Sequence, residues 1–391
     1  MPAFTLSNVR ILSKDGLTPQ TTLAIDGTQI DRLGGSAGAQ SWDAGGLLAL
    51  PGIIDLHGDA FERQLMPRPG VHFDTKLALV DSDRQLVTNG ITTAYHAVTY
   101  SWEPGLRSRD AGRAFIDALE TMRPTLACDT RLHLRWETFN LDAEDEIAEW
   151  LTAGRIALLA FNDHTPGIAR EAAHPQKLSK YAERSGLSLA DFAILVSQVY
   201  ARQDEVHGTI GRLAAVALTA NVPMASHDDE TPDDRNRYAR MGCRISEFPK
   251  NEETAQTARD AGHDIVMGAP NVVRGGSHLS AASAAHLVSK DLCTILTSDY
   301  YYPSLAQGAF RLVRDGVCDL ASAWKLISEN PAKAAWLDDR GTLAPGKRAD
   351  IVLIDDSDPA LPRIVATIVA GKPMIFGDLR LPPQVALRAA E

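Results

Sequence analysis

The stretch Leu48-Ala-Leu-Pro-Gly-Ile-Ile-Asp-Leu-His57-Gly-Asp59 decides how the rest of the chain is read. An apolar run ends in an imidazole and a carboxylate two residues apart. Residues i and i+2 of an extended strand share a face, so His57 and Asp59 can point together from the strand's carboxyl end. Both groups are good ligands for a divalent metal. A buried strand followed by a polar turn is the plain alternative, and the pair alone does not separate the two.

The flanking segments are β-rich. Residues 4–12 form one strand-like run, and residues 22–30 read as a hairpin about Asp26-Gly27. Residues 350–354 and 364–376 have the same character, joined by turns rich in Asp, Ser and Pro. Residues 1–50 with 345–391 are therefore expected to build a small β-sandwich, and 51–344 a second unit. That middle alternates apolar runs at 50–56, 92–98, 131–137, 156–161, 222–226, 244–247, 264–267 and 294–298 with amphipathic stretches such as 110–122, 143–152, 205–220, 252–261 and 279–289. Eight strands separated by helices predict an α/β fold of the (β/α)8 TIM-barrel type rather than an open sheet. No G-x-G-x-x-G follows a strand and opens a helix, which argues against a dinucleotide site.

The chain has 391 residues, enough for one such barrel. Its net charge of −11 argues against nucleic acid or an anionic membrane as partner. A local Arg cluster can still favour an anionic small molecule. No apolar run is long enough to span a membrane, and the first residues lack a charged start with an apolar h-region, so a cytoplasmic protein is expected. Cys128, Cys243, Cys293 and Cys318 are widely spaced, which suits free thiols, with Cys243 and Cys293 in the core.

A barrel enzyme builds its site at the carboxyl ends of its strands. The first strand ends in His57-Gly-Asp59, the third in Glu137, the fourth leads into Asn162-Asp163-His164, the fifth into His227-Asp228-Asp229 and the last into Asp299. Three imidazoles and three carboxylates on one rim would hold two divalent cations, with Glu137 bridging them. Mixed N and O ligands suit Zn²⁺ first, with Mn²⁺ or Fe²⁺ as alternatives. Any one His after a strand is more often a hydrogen-bonded loop residue; their joint occurrence at matching ends carries the reading. His133 shares a strand face with Glu137 and would stand behind the ligands. His72, His96, His174, His207, His263 and His286 are read as loop or helix residues without a catalytic part.

At this point a family resemblance becomes specific. Pro51-Gly-Ile-Ile-Asp-Leu-His-Gly-Asp59 with the late Gly341-Thr-Leu-Ala-Pro-Gly-Lys-Arg-Ala-Asp-Ile-Val-Leu353 resembles the amidohydrolase superfamily. Further motifs run in order along nearly the whole chain. They include Glu62-Arg63, Pro67-Arg-Pro-Gly70, Gly90-Ile-Thr-Thr93, His133-Leu-Arg-Trp-Glu137, Asp163-His-Thr-Pro-Gly167, Ala225-Ser-His-Asp-Asp229, Glu247-Phe-Pro249, Met267–His278 and Ser298-Asp-Tyr-Tyr301. This longer set resembles the diphosphatases that act on α-D-ribose 1-methylphosphonate 5-triphosphate in phosphonate catabolism. The resemblance implies a binuclear metallohydrolase that cleaves a 5′-triphosphate to monophosphate and pyrophosphate. It implies Asp299 as the general base. Arg63, Arg68, Arg274 and the Gly275-Gly-Ser277-His278 turn are then the phosphate-binding candidates, since Arg pairs bidentately with phosphate and glycines let backbone N–H groups approach an anion. Lys177 and Lys180 add charge from a loop.

The sequence departs from the family pattern at Gly58 and Ala60, where Thr and Asn are usual. It also departs at Asp81-Ser-Asp83, read as a loop that lacks the usual His, and at the loop 100–108. Many superfamily members place their imidazole ligands after strands five and six rather than four and five. One rival is a hydrolase of the same superfamily acting on a C–N bond: a deacetylase, cyclic amidase or deaminase. The other is a non-catalytic binding protein that kept the fold; the full ligand set speaks against it. Superfamily members often form dimers or tetramers, which admits a homo-oligomer without fixing an interface.

Overall fold

The fold was taken from a computed structural model, which describes residues 3–13, 16–36, 40–172, 174–275 and 283–375. All eight expected strands form one parallel sheet in chain order: β1 (Ile53–Gly58), β2 (Ile91–Tyr100), β3 (Asp129–Glu137), β4 (Leu158–Asn162), β5 (Met224–His227), β6 (Ile245–Glu247), β7 (Asp264–Gly268) and β8 (Ile295–Thr297). The bridge Gly58↔Asp299 brings β8 back to β1 and closes the barrel. Period-two alternation is clear on β3. Leu132, Leu134 and Trp136 join the apolar layer under the outer helices, whereas His133, Arg135 and Glu137 take the opposite face. Helices follow their predicted stretches closely, for example Arg109–Met122 and Glu252–Asp260. Of the stretch 279–289, only Ala284–Ser289 falls within the described residues as helix.

Both ends of the chain meet in the small sheet. Its central order is Lys372–Ile375, Arg363–Val369, Ile351–Asp355, Leu48–Pro51, Phe4–Ser13, Thr21–Asp26 and Gln29–Leu33. The predicted hairpin pairs Asp26 with Gln29. Along Ile351–Asp355, Ile351 and Leu353 enter the core of this sheet, while Val352 and Ile354 pack towards Leu86 and Val87 of the barrel. One strand thus serves two cores.

The amino-terminal end of the barrel is tied by charge. Buried Arg340 bonds Asp129 Oδ2 at 2.6 Å and Thr93 Oγ1 at 2.8 Å, and Arg348 bonds Asp129 at 3.1 Å and Asp350 at 3.1 Å. Residues at this end of a barrel serve stability rather than chemistry. The same applies to Asp81-Ser-Asp83, which is not a loop. It lies inside the helix Thr75–Thr88, where Asp83 accepts the N–H groups of Ala127 and Cys128 at 2.9 Å just before β3. That departure from the family pattern therefore falls at the opposite end from the strand tips. All four cysteines are free, and Cys128, Cys243 and Cys293 are buried. Among the described residues no helix is long and apolar enough to cross a membrane.

Candidate metal centre

The carboxyl ends of the strands are where the backbone leaves the ladder. Asp228, Phe248 and Asp299 directly follow β5, β6 and Ser298, and each has a left-handed φ, of 61°, 54° and 54°. Each still donates one last ladder bond: Asp228 to Glu247 O at 2.8 Å, Phe248 to Val266 O at 2.9 Å and Asp299 to His57 O at 2.9 Å. Left-handed backbone is unfavourable for a side chain such as Phe and persists where surrounding bonds enforce it, commonly at functional sites. Here it turns three side chains at the barrel mouth.

The six predicted ligands gather there. Ligand-type atoms of His57, Asp59 and Asp299 lie within 4.8 Å of one another, as do those of His164, His227 and Asp228. Glu137 Oε1 lies 2.6 Å from His164 Nδ1. His57 and His227 stack with ring centroids 5.6 Å apart, joining the two groups. The placement holds as counted: His164 follows β4 and His227 ends β5. Asp299 reaches His57 and Asp59 because β8 closes on β1, and Asp59 N–H bonds Asp299 O at 2.9 Å.

Four participants were not picked out from the sequence. Asp228 completes the second group. Glu247, fully buried at the end of β6, stands 3.1 Å from His227 Nδ1, 3.2 Å from His57 Nδ1 and 3.7 Å from His133 Nε2. Arg135 places Nη1 3.2 Å from Asp59 Oδ2 and Nη2 3.4 Å from His227 Nε2. Lys250 pairs with Asp228 at 2.5 Å. The signal for Arg135 was its parity with His133 and Glu137 on one strand. Glu247 had only its place after a short apolar run.

The electrostatics suit a cation. Burial holds His57, His133 and His227 down at about 3, so these imidazoles are neutral, the form that ligates metal. Burial acts in the same direction on His164, but the carboxylates of Glu137 and Asp228 outweigh it and raise the group to about 9. Asp299 is lifted to about 7, by burial first and then by the charge of Asp59. His57 Nδ1, His133 Nε2, Glu137 Oε2 and Glu247 Oε1 are buried without a hydrogen-bond partner among the described residues. Buried polar atoms are normally satisfied. Imidazole nitrogens and carboxylate oxygens gathered within 4.8 Å of one another fit a divalent ion with hard or borderline preferences.

The phosphate candidates divide. Arg63 donates to the backbone carbonyl of Tyr300, next to Asp299, and Arg274 Nη1 lies 3.5 Å from the Tyr300 hydroxyl. Two guanidiniums therefore flank the residue after Asp299. Arg68 sits in an exposed loop bridged to Val71. Ser277 and His278 lie outside the described residues, while Gly275 ends the helix Ala269–Arg274 in the left-handed conformation. A cleft of about 600 Å³ opens beside His164 and Asp228, and Arg170, Lys177, Arg237 and Lys250 lie along it. Lys180 instead covers the Tyr181 ring at 4.6 Å. The loop 100–108 braces this rim: Arg107 forms a bidentate pair with Glu62 at 2.9 Å, and Trp102 Nε1 donates to Thr165 Oγ1 at 2.9 Å.

Gly58 and Ala60 are explained by packing. A Cβ on Gly58 would stand 2.6 Å from Asp55 Oδ2, so no larger residue fits this backbone as it is folded. Ala60 is buried in the main core. One correction concerns His96. It is on β2, neither loop nor helix, and is packed edge-on against Phe61 and Phe115. His263 is buried against Arg244 and His286 pairs with Glu252.

Comparison with known proteins agrees with this architecture. A profile of the Amidohydrolase family matches residues 199–375. α-D-Ribose 1-methylphosphonate 5-triphosphate diphosphatase of Escherichia coli (strain K12) is 33% identical over 337 residues, covering 82% of this chain and 86% of that protein. The adenine deaminase of Methylobacterium nodulans is 28% identical over 362 residues, and the match spans about half of that longer protein (51%). Among solved structures, N-isopropylammelide isopropylaminohydrolase from Burkholderia multivorans shares the fold, with a TM-score of 0.66 at 19% identity over 95% of this chain and 98% of that one. N-acetylglucosamine-6-phosphate deacetylase from Pasteurella multocida does so with a TM-score of 0.66 at 10% identity over 96% and 100%. Fold, strand-end chemistry and relatives together define a metal-dependent hydrolase. The chain belongs to the amidohydrolase family. Within it, the chain is similar to the E. coli ribose methylphosphonate triphosphate diphosphatase.

Proposed function

We propose that the protein releases pyrophosphate from α-D-ribose 1-methylphosphonate 5-triphosphate. One observation carries the reading: imidazoles and carboxylates from separate strand ends gathered into groups within 4.8 Å, in a chain one-third identical to an enzyme of that name. In this reading His57, Asp59, Glu137, His164, His227 and Asp299 hold two divalent ions, Zn²⁺ first, and Asp228 is a further ligand. A divalent ion in such a ring polarises phosphoryl oxygens and lowers the pKa of water. The chain's own residues do the rest. Asp299 takes the proton of the attacking water, acting as general base. Arg63 and Arg274, with Arg68, Ser277 and His278, meet phosphate oxygens, so the partner is a small phosphorylated molecule.

The second reading, hydrolysis of a C–N bond, draws on the adenine deaminase relatives, which match over most of this chain. The two readings part in one experiment. Metal-analysed protein is assayed for pyrophosphate release from the ribose phosphonate triphosphate and from nucleoside triphosphates, beside a panel of amides and adenine. Chelation should abolish pyrophosphate release and added divalent metal should restore it. Metal-dependent C–N hydrolysis with no pyrophosphate release would sink the proposal.

Arg63→Ala and Arg274→Ala test the substrate side. Each removes a hydrogen bond to a charged group, about 1.5–3 kcal/mol, so KM should rise roughly 10- to 100-fold with the metal content unchanged. An unchanged KM in both would move the phosphate site elsewhere, with the cleft of Arg170 and Lys177 the next place to look.

A further inference from the structure

The end of β6 contributes no residue to the six-membered ligand set, yet it touches both imidazoles that join its halves. Glu247 is fully buried among groups that arrive on three other strands. Its Oε2 accepts from His227 Nδ1 at 3.1 Å. Its Oε1 is 3.2 Å from His57 Nδ1, off the hydrogen-bonding angle, and that nitrogen has no hydrogen bond to any other group among the described residues. His133 does not compete for the carboxylate's lone pairs. Its Nδ1 meets the Leu56 carbonyl at 2.9 Å and so carries the proton, which leaves Nε2 bare. The next residue, Phe248, sets its ring edge-on to both imidazoles, with centroids 5.1 Å from His57 and 5.2 Å from His227. Phe248 is held in the left-handed region, a strained placement for a bulky side chain, by its bond to Val266.

We propose that Glu247-Phe248 is the positioning element of the centre, with the one carboxylate of Glu247 fixing the tautomer of His57 and His227 at once. A carboxylate accepts only, so the His227 Nδ1 that bonds it carries a proton, and we place the His57 proton likewise on the Nδ1 that faces Oε1. Both Nε2 atoms are then bare and available on the far side of their rings, where Arg135 already approaches that of His227. A carboxylate behind a metal-binding imidazole raises its basicity and fixes its orientation. Here a single buried carboxylate does so for two imidazoles from β1 and β5, which a ring assembled from separate strands needs to keep its halves in register. Glu247 is a positioning residue and touches no substrate. The proposal rests on the reading that His57 and His227 bind metal, and the test separates the two.

Long-range ¹⁵N–¹H correlation spectra of the metal-free protein at pH 8 should show His57 and His227 both as Nδ1–H tautomers. In Glu247→Gln the amide can accept from only one of them, so one ring should switch to Nε2–H or lose its order. Zn²⁺ affinity, measured by competition with a chelating dye, should fall 10- to 100-fold. Nε2–H tautomers in the wild type, or a Glu247→Gln variant with wild-type tautomers and Zn²⁺ affinity within twofold, would overturn the proposal. If wild-type protein binds no divalent metal, the proposed function fails while the tautomer spectra still decide the part of Glu247. If Glu247→Gln does not fold, the wild-type spectra decide alone.

Discussion

Asp299→Asn should lower turnover by about 10²- to 10⁴-fold, the usual contribution of a general base. Pyrophosphate release under saturating metal measures it. The fold should survive. Asn tolerates left-handed backbone as well as Asp does, so the φ of 54° is no obstacle. The backbone bonds that tie residue 299 to His57 and Asp59 involve no side chain and remain. The change removes the only member of the His57–Asp59–Asp299 group that is both deeply set and lifted to about 7 by burial and its neighbour Asp59. An unaltered circular dichroism spectrum and Tm would show that the loss is chemical. A variant that turns over near the wild-type rate would mean the base lies elsewhere in the ring.

Asp55→Ala should be the most destabilising single change near the site. Asp55 is fully buried, and its carboxylate accepts from Thr297 Oγ1 at 2.7 Å, Ser298 N at 3.0 Å, Ser298 Oγ at 2.5 Å and His57 N at 3.3 Å. These bonds stitch β1 to β8, the one seam of the barrel whose strands are farthest apart in sequence. Thr297 can keep its bond to the His57 carbonyl, but the Ser298 donors would be left in the core without an acceptor. An unsatisfied buried donor costs about 1–3 kcal/mol, so a total of about 3–5 kcal/mol is expected. That corresponds to a Tm lower by on the order of 10 °C. Metal affinity should fall with it, because Asp299 hangs on the same seam. A Tm within about 2 °C of wild type would show that the seam is held by the backbone alone.

Much of the architecture is legible without coordinates because parallel strands buried on both faces leave continuous apolar runs. Eight such runs separated by amphipathic stretches admit few other folds. The gathering of the candidate ligands is legible for a related reason: a barrel offers one chemical end, so polar residues at the ends of apolar runs converge. His57, Asp59, Glu137, His164, His227 and Asp299 all obey that rule.

The residues that sequence reading passed over break it in instructive ways. Arg135 lies within a strand rather than after it, and only the face it shares with His133 and Glu137 marks it. Glu247 ends a three-residue strand too short to show a period. Asp83 lies in the stretch that departs from the family pattern, and it caps the entry to β3 at the stable end of the barrel.

What the sequence determined by itself is the class of fold and the end of the barrel where the candidate ligands gather. These follow from local patterning, and local patterning is written in consecutive residues. The tertiary structure alone decided which of these groups touch. His57 and Asp59 meet Asp299 only because a barrel must close, and Glu247, paired beside His227 on the neighbouring strand, reaches His57 of β1 only through the closed barrel. Contacts between residues far apart in the chain are fixed by closure and packing, and neither leaves a period in the sequence.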